Sequence, residues 1–155
     1  MNNNDIFRRL RYTFELNDSK MVELFDMAGS QVRREQISDW LKRDEDPGFK
    51  ELKDLNLAIF LNGMINYNRG KKEGEEPVPE SRLNNNIILR KLKIALNLKD
   101  DDILAILDLA EMRISKHELS ALFRNPSQIQ YRPCNDQLLR NFLQGMQIRY
   151  RGDKK

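Results

Sequence analysis

At 155 residues, with 39% apolar and 8% aromatic side chains, the chain carries enough hydrophobic material for a packed core, which excludes disorder as the default. Lys plus Arg (27) nearly balance Asp plus Glu (24), so the net charge of +3 does not by itself point to a polyanion partner. A single cysteine, Cys134, and a single histidine, His117, exclude an intrachain disulfide and a Cys/His zinc site built from one copy of the chain, and fit a reducing compartment.

In chain order, the N-terminal MNNNDIFRRL lacks an apolar signal core, and no run is long enough to span a bilayer; a cytoplasmic protein is expected. A first helix is predicted with Asn4 as its cap and Phe7, Leu10 and Phe14 on one face. A second follows Asp18, with Met21, Leu24, Phe25 and Ala28 at i, i+3, i+4 and i+7. A third holds Ile37, Trp40 and Leu41, and a fourth begins near Asp54, carries Leu57, Phe60, Leu61 and Met64, and stops at Gly70.

The same series then repeats at a shift of 82 positions without a gap. Asn4 meets Asn86, Arg8 meets Arg90, Leu10 meets Leu92, Asp18 meets Asp100, and Phe60, Leu61, Gly63, Met64 and Gly70 meet Phe142, Leu143, Gly145, Met146 and Gly152. About a quarter of the aligned positions are identical, more than shared composition supplies over an ungapped stretch of this length. The second copy supplies Leu89, Leu92 and Leu96; Ile103, Ile106, Leu107 and Ala110; Leu119, Leu122 and Phe123; and Leu139, Phe142, Leu143 and Met146. Ser115 and Glu118 are spaced as a capping box for its third helix.

The expected architecture is all-α: two tandem four-helix units, residues 1–72 and 84–155, packed with pseudo-two-fold symmetry. Each unit alone sits near the lower size limit for independent stability, so the copies are expected to share an apolar seam. Residues 73–83, EGEEPVPESRL, hold four Glu, two Pro and one Gly and are predicted to form an acidic, exposed linker.

The segments NNNIILRKLKIAL (84–96), DDILAIL (101–107), FLNGM (60–64), NDQLLRNFLQGM (135–146) and WLKRDEDPGF (40–49) together resemble the YehS-like family of bacterial proteins. That resemblance spans essentially the whole chain and implies a cytoplasmic, duplicated helical domain of unknown function. It brings no catalytic or binding residues.

Candidate sites rest on the residues alone. Arg8 with Arg11, and Arg90 with Lys93, are i, i+3 pairs on the first helix of each copy, spaced to grip phosphates; a solvated basic face inherited by duplication is the plainer reading. A nucleic-acid binder would add Arg113, Lys116, Arg124, Arg132, Arg149 and Arg151. Met21 to Lys42 has a helix-turn-helix-like cast, but eight residues from Gly29 to Ile37 exceed the tight turn of that motif, and ordinary helix packing accounts for it.

Gly63 and Gly145 interrupt good helices, which predicts close approach of another helix, with the other copy's glycine helix as one candidate. The neighbouring Asn62 and Gln144 are candidate interface hydrogen-bonders, and Trp40 a candidate groove residue for a protein partner. No Gly-rich phosphate loop and no nucleophile–base motif accompanies them, and the acidic clusters Asp44–Asp46 and Asp100–Asp102 suit loop solvation and helix N-termini. The expectation is therefore a non-enzymatic macromolecular interaction module without cofactor or metal. A protein-binding adaptor leads, a nucleic-acid binder is the alternative, and oligomeric state stays open.

Overall fold

The computed structural model describes residues 1–70 and 78–152, and among these it is all-helical. The first copy contains α1 (Asn3–Thr13), α2 (Asp18–Met27), α3 (Arg34–Leu41) and α4 (Asp54–Arg69). The second contains α5 (Asn85–Ala95), α6 (Asp100–Leu109), α7 (Lys116–Leu122) and α8 (Asp136–Met146), which runs on as a π-helical turn over Gln147–Arg151.

Local chemistry sets these boundaries. Side-chain oxygens of Asn2, Asn17, Asn84, Ser115 and Asn135 accept from backbone N–H groups in the first turns of α1, α2, α5, α7 and α8. The Ser115–Glu118 capping box forms in both directions. Gly70 and Gly152 close the last helices at φ 81° and 80°, where a side chain is disfavoured.

Asn2, not Asn4, caps α1. Asn4 lies inside the helix, 1% exposed, and its side chain donates to the carbonyls of Trp40 and Lys50 and accepts from the Leu52 N–H. Asn86 repeats this in the second copy, with Leu122, Arg132 and Cys134 as partners. Beside them, Asn3 donates to the Leu52 carbonyl and Asp54, and Asn85 to the Cys134 carbonyl and Asp136. These paired asparagines hold the connection after each copy's third helix against its first helix, satisfying buried backbone groups that no helix or sheet serves.

Gly63 and Gly145 do sit at close helix approaches, but to a different neighbour from the one suggested by the sequence. A Cβ on Gly63 would collide with the Leu24 carbonyl of α2, and one on Gly145 with the Ile106 carbonyl of α6, both within the same copy. The glycines set the α2/α4 and α6/α8 crossings, not the seam between copies.

That seam is built by α1 and α4 of the first copy and α5 and α8 of the second: α4 lies along α5, and α1 packs on α8 and its π turn. Because α1 is equivalent to α5, and α4 to α8, the contacts exchange under a pseudo-two-fold operation. One buried cluster runs through both copies, from Phe7, Leu10 and Leu61 to Leu89, Leu92 and Leu143. Its first half is aromatic, with Phe7 at ring-centroid distances of 6.2, 6.1 and 4.9 Å from Phe25, Trp40 and Phe60. The equivalent positions in the second half are Leu89, Leu107, Leu122 and Phe142.

Residues 73–77 of the acidic segment lie outside the described residues. Of the remainder, Val78 is exposed, but Glu80 and Leu83 pack back onto the helices, so this end is not a free connector. The Leu83 N–H donates to Asp54 at 2.8 Å, pinning the entry to α5 against the start of α4.

Candidate functional site

Gly63 and Gly145 face α2 and α6, so the residue before each, about 100° round the helix, points toward the other copy. Asn62 accepts a hydrogen bond from Lys91 Nζ of α5 at 2.6 Å. Gln144 accepts from Arg9 Nη1 of α1 at 2.7 Å, and Gln147 accepts from the same nitrogen at 3.3 Å. Arg9 and Lys91 are equivalent in the repeat, as are Asn62 and Gln144, so one cation-to-amide contact appears twice across the seam.

The two halves of the seam then diverge. At α4/α5 the Lys91 side chain is 10% exposed and forms an ion pair with Glu80 at 2.9 Å, outside ideal hydrogen-bond geometry. At α1/α8 a cleft of about 590 Å³ opens, lined by Arg8, Arg9, Tyr12, Arg140, Gln144 and Gln147 together with Met1, Asp5 and Leu143. Arg9 is half-buried there, and its guanidinium is held below its usual pKa by burial and, secondly, by the charge of Arg140. Arg140 is exposed and donates to Gln137 at 3.2 Å.

The basic residues singled out in the sequence have other partners. Arg8 spans Asp5 (2.7 Å) and Asp44 (2.8 Å) and donates to the Leu41 and Lys42 carbonyls at the end of α3. Asp44 is held below the usual carboxylate range chiefly by that hydrogen bond from Arg8. Arg11 pairs with Asp18 at 3.2 Å, and its equivalent Lys93 with Asp100 at 3.1 Å while lying 4.4 Å from the centroid of the Phe123 ring. Arg90 is exposed.

Of the wider basic set, Arg113, Lys116, Arg132 and Arg149 face Asp108, Asp101, Glu118 and Asp102. Arg151 bridges the copies, donating to the Tyr12 carbonyl at 2.8 Å and lying 3.8 Å from the Tyr12 ring centroid. Arg124 is part-buried, and its Nε has no hydrogen-bond partner.

Trp40 is 7% exposed and stacks on Phe25 at 5.6 Å in the first-copy core, so most of its surface is taken up within the fold. The helix-turn-helix-like stretch resolves into α2 and the eight-residue α3, with the apolar face of α3 turned inward through Ile37 and Trp40. His117 is exposed in the first turn of α7. Cys134 is buried, with burial pushing its thiol up to about 11. Asp100, Asp101 and Asp102 form the first turn of α6, where Asp102 accepts from the Lys99 N–H.

Reasoning from sequence counts Arg9 and Lys91 only among the basic residues that recur on the first helix of each copy, and misses Glu80 and Arg140. One usable signal was present: position 9 in the first copy and 91 in the second are both cationic and both sit between the more conspicuous i, i+3 pairs.

The fold and seam define a class: a duplicated all-helical protein whose copies dock through their first and fourth helices. The chain belongs to the family described as "Protein of unknown function (DUF1456)", whose model matches residues 3–70 and again 85–152, the same 82-residue register found in the sequence. It is 43% identical over 150 residues to "Uncharacterized protein YehS" of Escherichia coli (strain K12), covering 96% of each chain. No solved structure matches it. Among the described residues no helix is long and apolar enough to cross a membrane.

Proposed function

We propose that the protein is a non-enzymatic interaction module of the bacterial cytoplasm that engages a protein partner through the α1/α8 cleft between its copies. The observation that supports this reading is the composition of that cleft. It gathers Arg9, Tyr12, Arg140, Gln144 and Gln147, and arginine and tyrosine are, with tryptophan, enriched among energetically dominant interface residues.

The nucleic-acid alternative draws less support from the same structure. Arg8, Arg11 and Lys93 each face a carboxylate, so their charge is largely spent on holding the fold, and the wider basic set is scattered over several helices facing carboxylates of its own.

The test is affinity capture of the tagged full-length protein from a bacterial lysate, with and without nuclease, beside the Tyr12→Ala variant. The reading expects a discrete protein that survives nuclease and is depleted by Tyr12→Ala. Recovery of nucleic acid that falls steeply with salt, with co-captured protein lost to nuclease, would replace it with the alternative.

A further inference from the structure

The seam between the copies contains one site already occupied by an acidic segment of this chain and one equivalent site that is open. At α4/α5, Glu80 reaches the buried ammonium of Lys91, whose other partner is Asn62. At α1/α8, the equivalent cation, Arg9, meets the equivalent amide, Gln144, and among the described residues no carboxylate pairs with it. Asp5, which also lines that cleft, is engaged by Arg8 at 2.7 Å.

The two sites differ at four polar positions of the cleft lining. Arg140, Gln147, Tyr12 and Asp5 of the open cleft replace Ala58, Ile65, Ile94 and Ile87 at the equivalent positions. The open cleft has therefore gained one cation, one amide, one phenol and one carboxylate over its counterpart, and the added carboxylate, Asp5, is taken up by Arg8. A half-buried arginine facing a second arginine is stabilised by an incoming anion, and planar guanidinium groups match a carboxylate in two-point contact.

We infer that the α1/α8 cleft binds an acidic, extended segment of a partner protein, one carboxylate seated between Arg9 and Arg140 as Glu80 is seated on Lys91 at the equivalent site. This rests on the reading of the protein as a protein-interaction module and supplies the chemistry of the partner. Arg9 holds the carboxylate, and Arg140 adds the second cation of the cleft.

The probe is a fluorescent peptide of sequence EGEEPVPES, residues 73–81 of this chain, titrated onto the full-length protein by anisotropy. Saturable binding is expected, weakened about tenfold or more by Arg140→Glu and by less than about twofold by Arg90→Glu, the same charge change at an exposed position on α5. Both residues are exposed, and circular dichroism of each variant is the control for folding. A peptide with its four glutamates changed to glutamine is expected to lose binding.

Equal weakening by both variants would show only diffuse charge attraction and overturn the inference, as would no saturation by about 1 mM peptide. A captured partner that depends on Tyr12 but is retained by Arg140→Glu would also overturn it, while leaving the interaction reading in place.

Discussion

Asn4 and Asn86 make the same three hydrogen bonds at the same sequence separations, 36, 46 and 48 residues, each within its own copy. An asparagine amide is suited to this role because it donates twice and accepts once from one planar group. Replacing either with alanine removes the partners of one buried carbonyl, one part-buried carbonyl and one buried N–H. A loss of about 2–4 kcal/mol is expected for each, equal within error between the copies, from the midpoint of urea unfolding. Asn4→Asp is expected to be no better than alanine, because a carboxylate cannot donate to the Trp40 and Lys50 carbonyls.

Gly63→Ala and Gly145→Ala set two effects against each other. Alanine improves helix propensity by about 1 kcal/mol, whereas the added methyl meets a backbone carbonyl of α2 or α6 that cannot turn aside. Overpacking wins at such a site. Each variant is expected to lose about 2 kcal/mol or more of stability, read as a lowered melting temperature.

Cys134 tests the burial of the loop that the asparagines hold. With its thiol pushed up to about 11, mainly by burial, almost no thiolate is present at pH 8. Alkylation by iodoacetamide is expected to be about a hundredfold slower than in the urea-unfolded chain. Comparable rates would mean that the Leu122–Asn135 connection is open. The raised folded value also implies that any stability from keeping this thiol protonated is lost as pH rises from about 9 toward 11.

Acid acts through different groups. Asp44 is held below its usual range by Arg8, and Glu118 by the Ser115 backbone N–H first and then by Arg132. Depressed carboxylate values contribute stability that is complete above the unfolded value and is lost as pH falls through the folded one. The unfolding midpoint is expected to decline below about pH 4.5, with Asp44→Asn and Glu118→Gln flattening that decline because each lowers the neutral value toward the acid one. A decline already complete at pH 6 would assign acid sensitivity to other groups.

The duplication and most helix boundaries were legible in the sequence because they are local: apolar periodicity, capping residues and terminal glycines recur at one shift. The seam was less so. Arg8 and Arg11 attract notice as an i, i+3 pair, yet the cation turned to the other copy is Arg9, and helical period alone does not say which polar flank a second unit will cover. Asn4 resembles a cap because asparagine favours helix starts, and only the fold reveals that it faces three backbone groups far along the chain. Trp40 invited a surface role by its size and singularity, but the aromatic core of the first copy absorbs it. Asn62 and Gln144 were visible as neighbours of the helix glycines, whereas their cationic partners were not.

The account depends on the copies docking through equivalent cation-to-amide contacts, and a double-mutant cycle between Lys91 and Asn62 measures one of these directly in the intact chain. The two residues lie in different copies, 2.6 Å apart at Nζ and Oδ1. Urea unfolding of Lys91→Met, Asn62→Ala and the double variant is expected to give a coupling energy above about 1 kcal/mol. Additive single effects, with coupling within about 0.3 kcal/mol of zero, would contradict the seam and the site built on it.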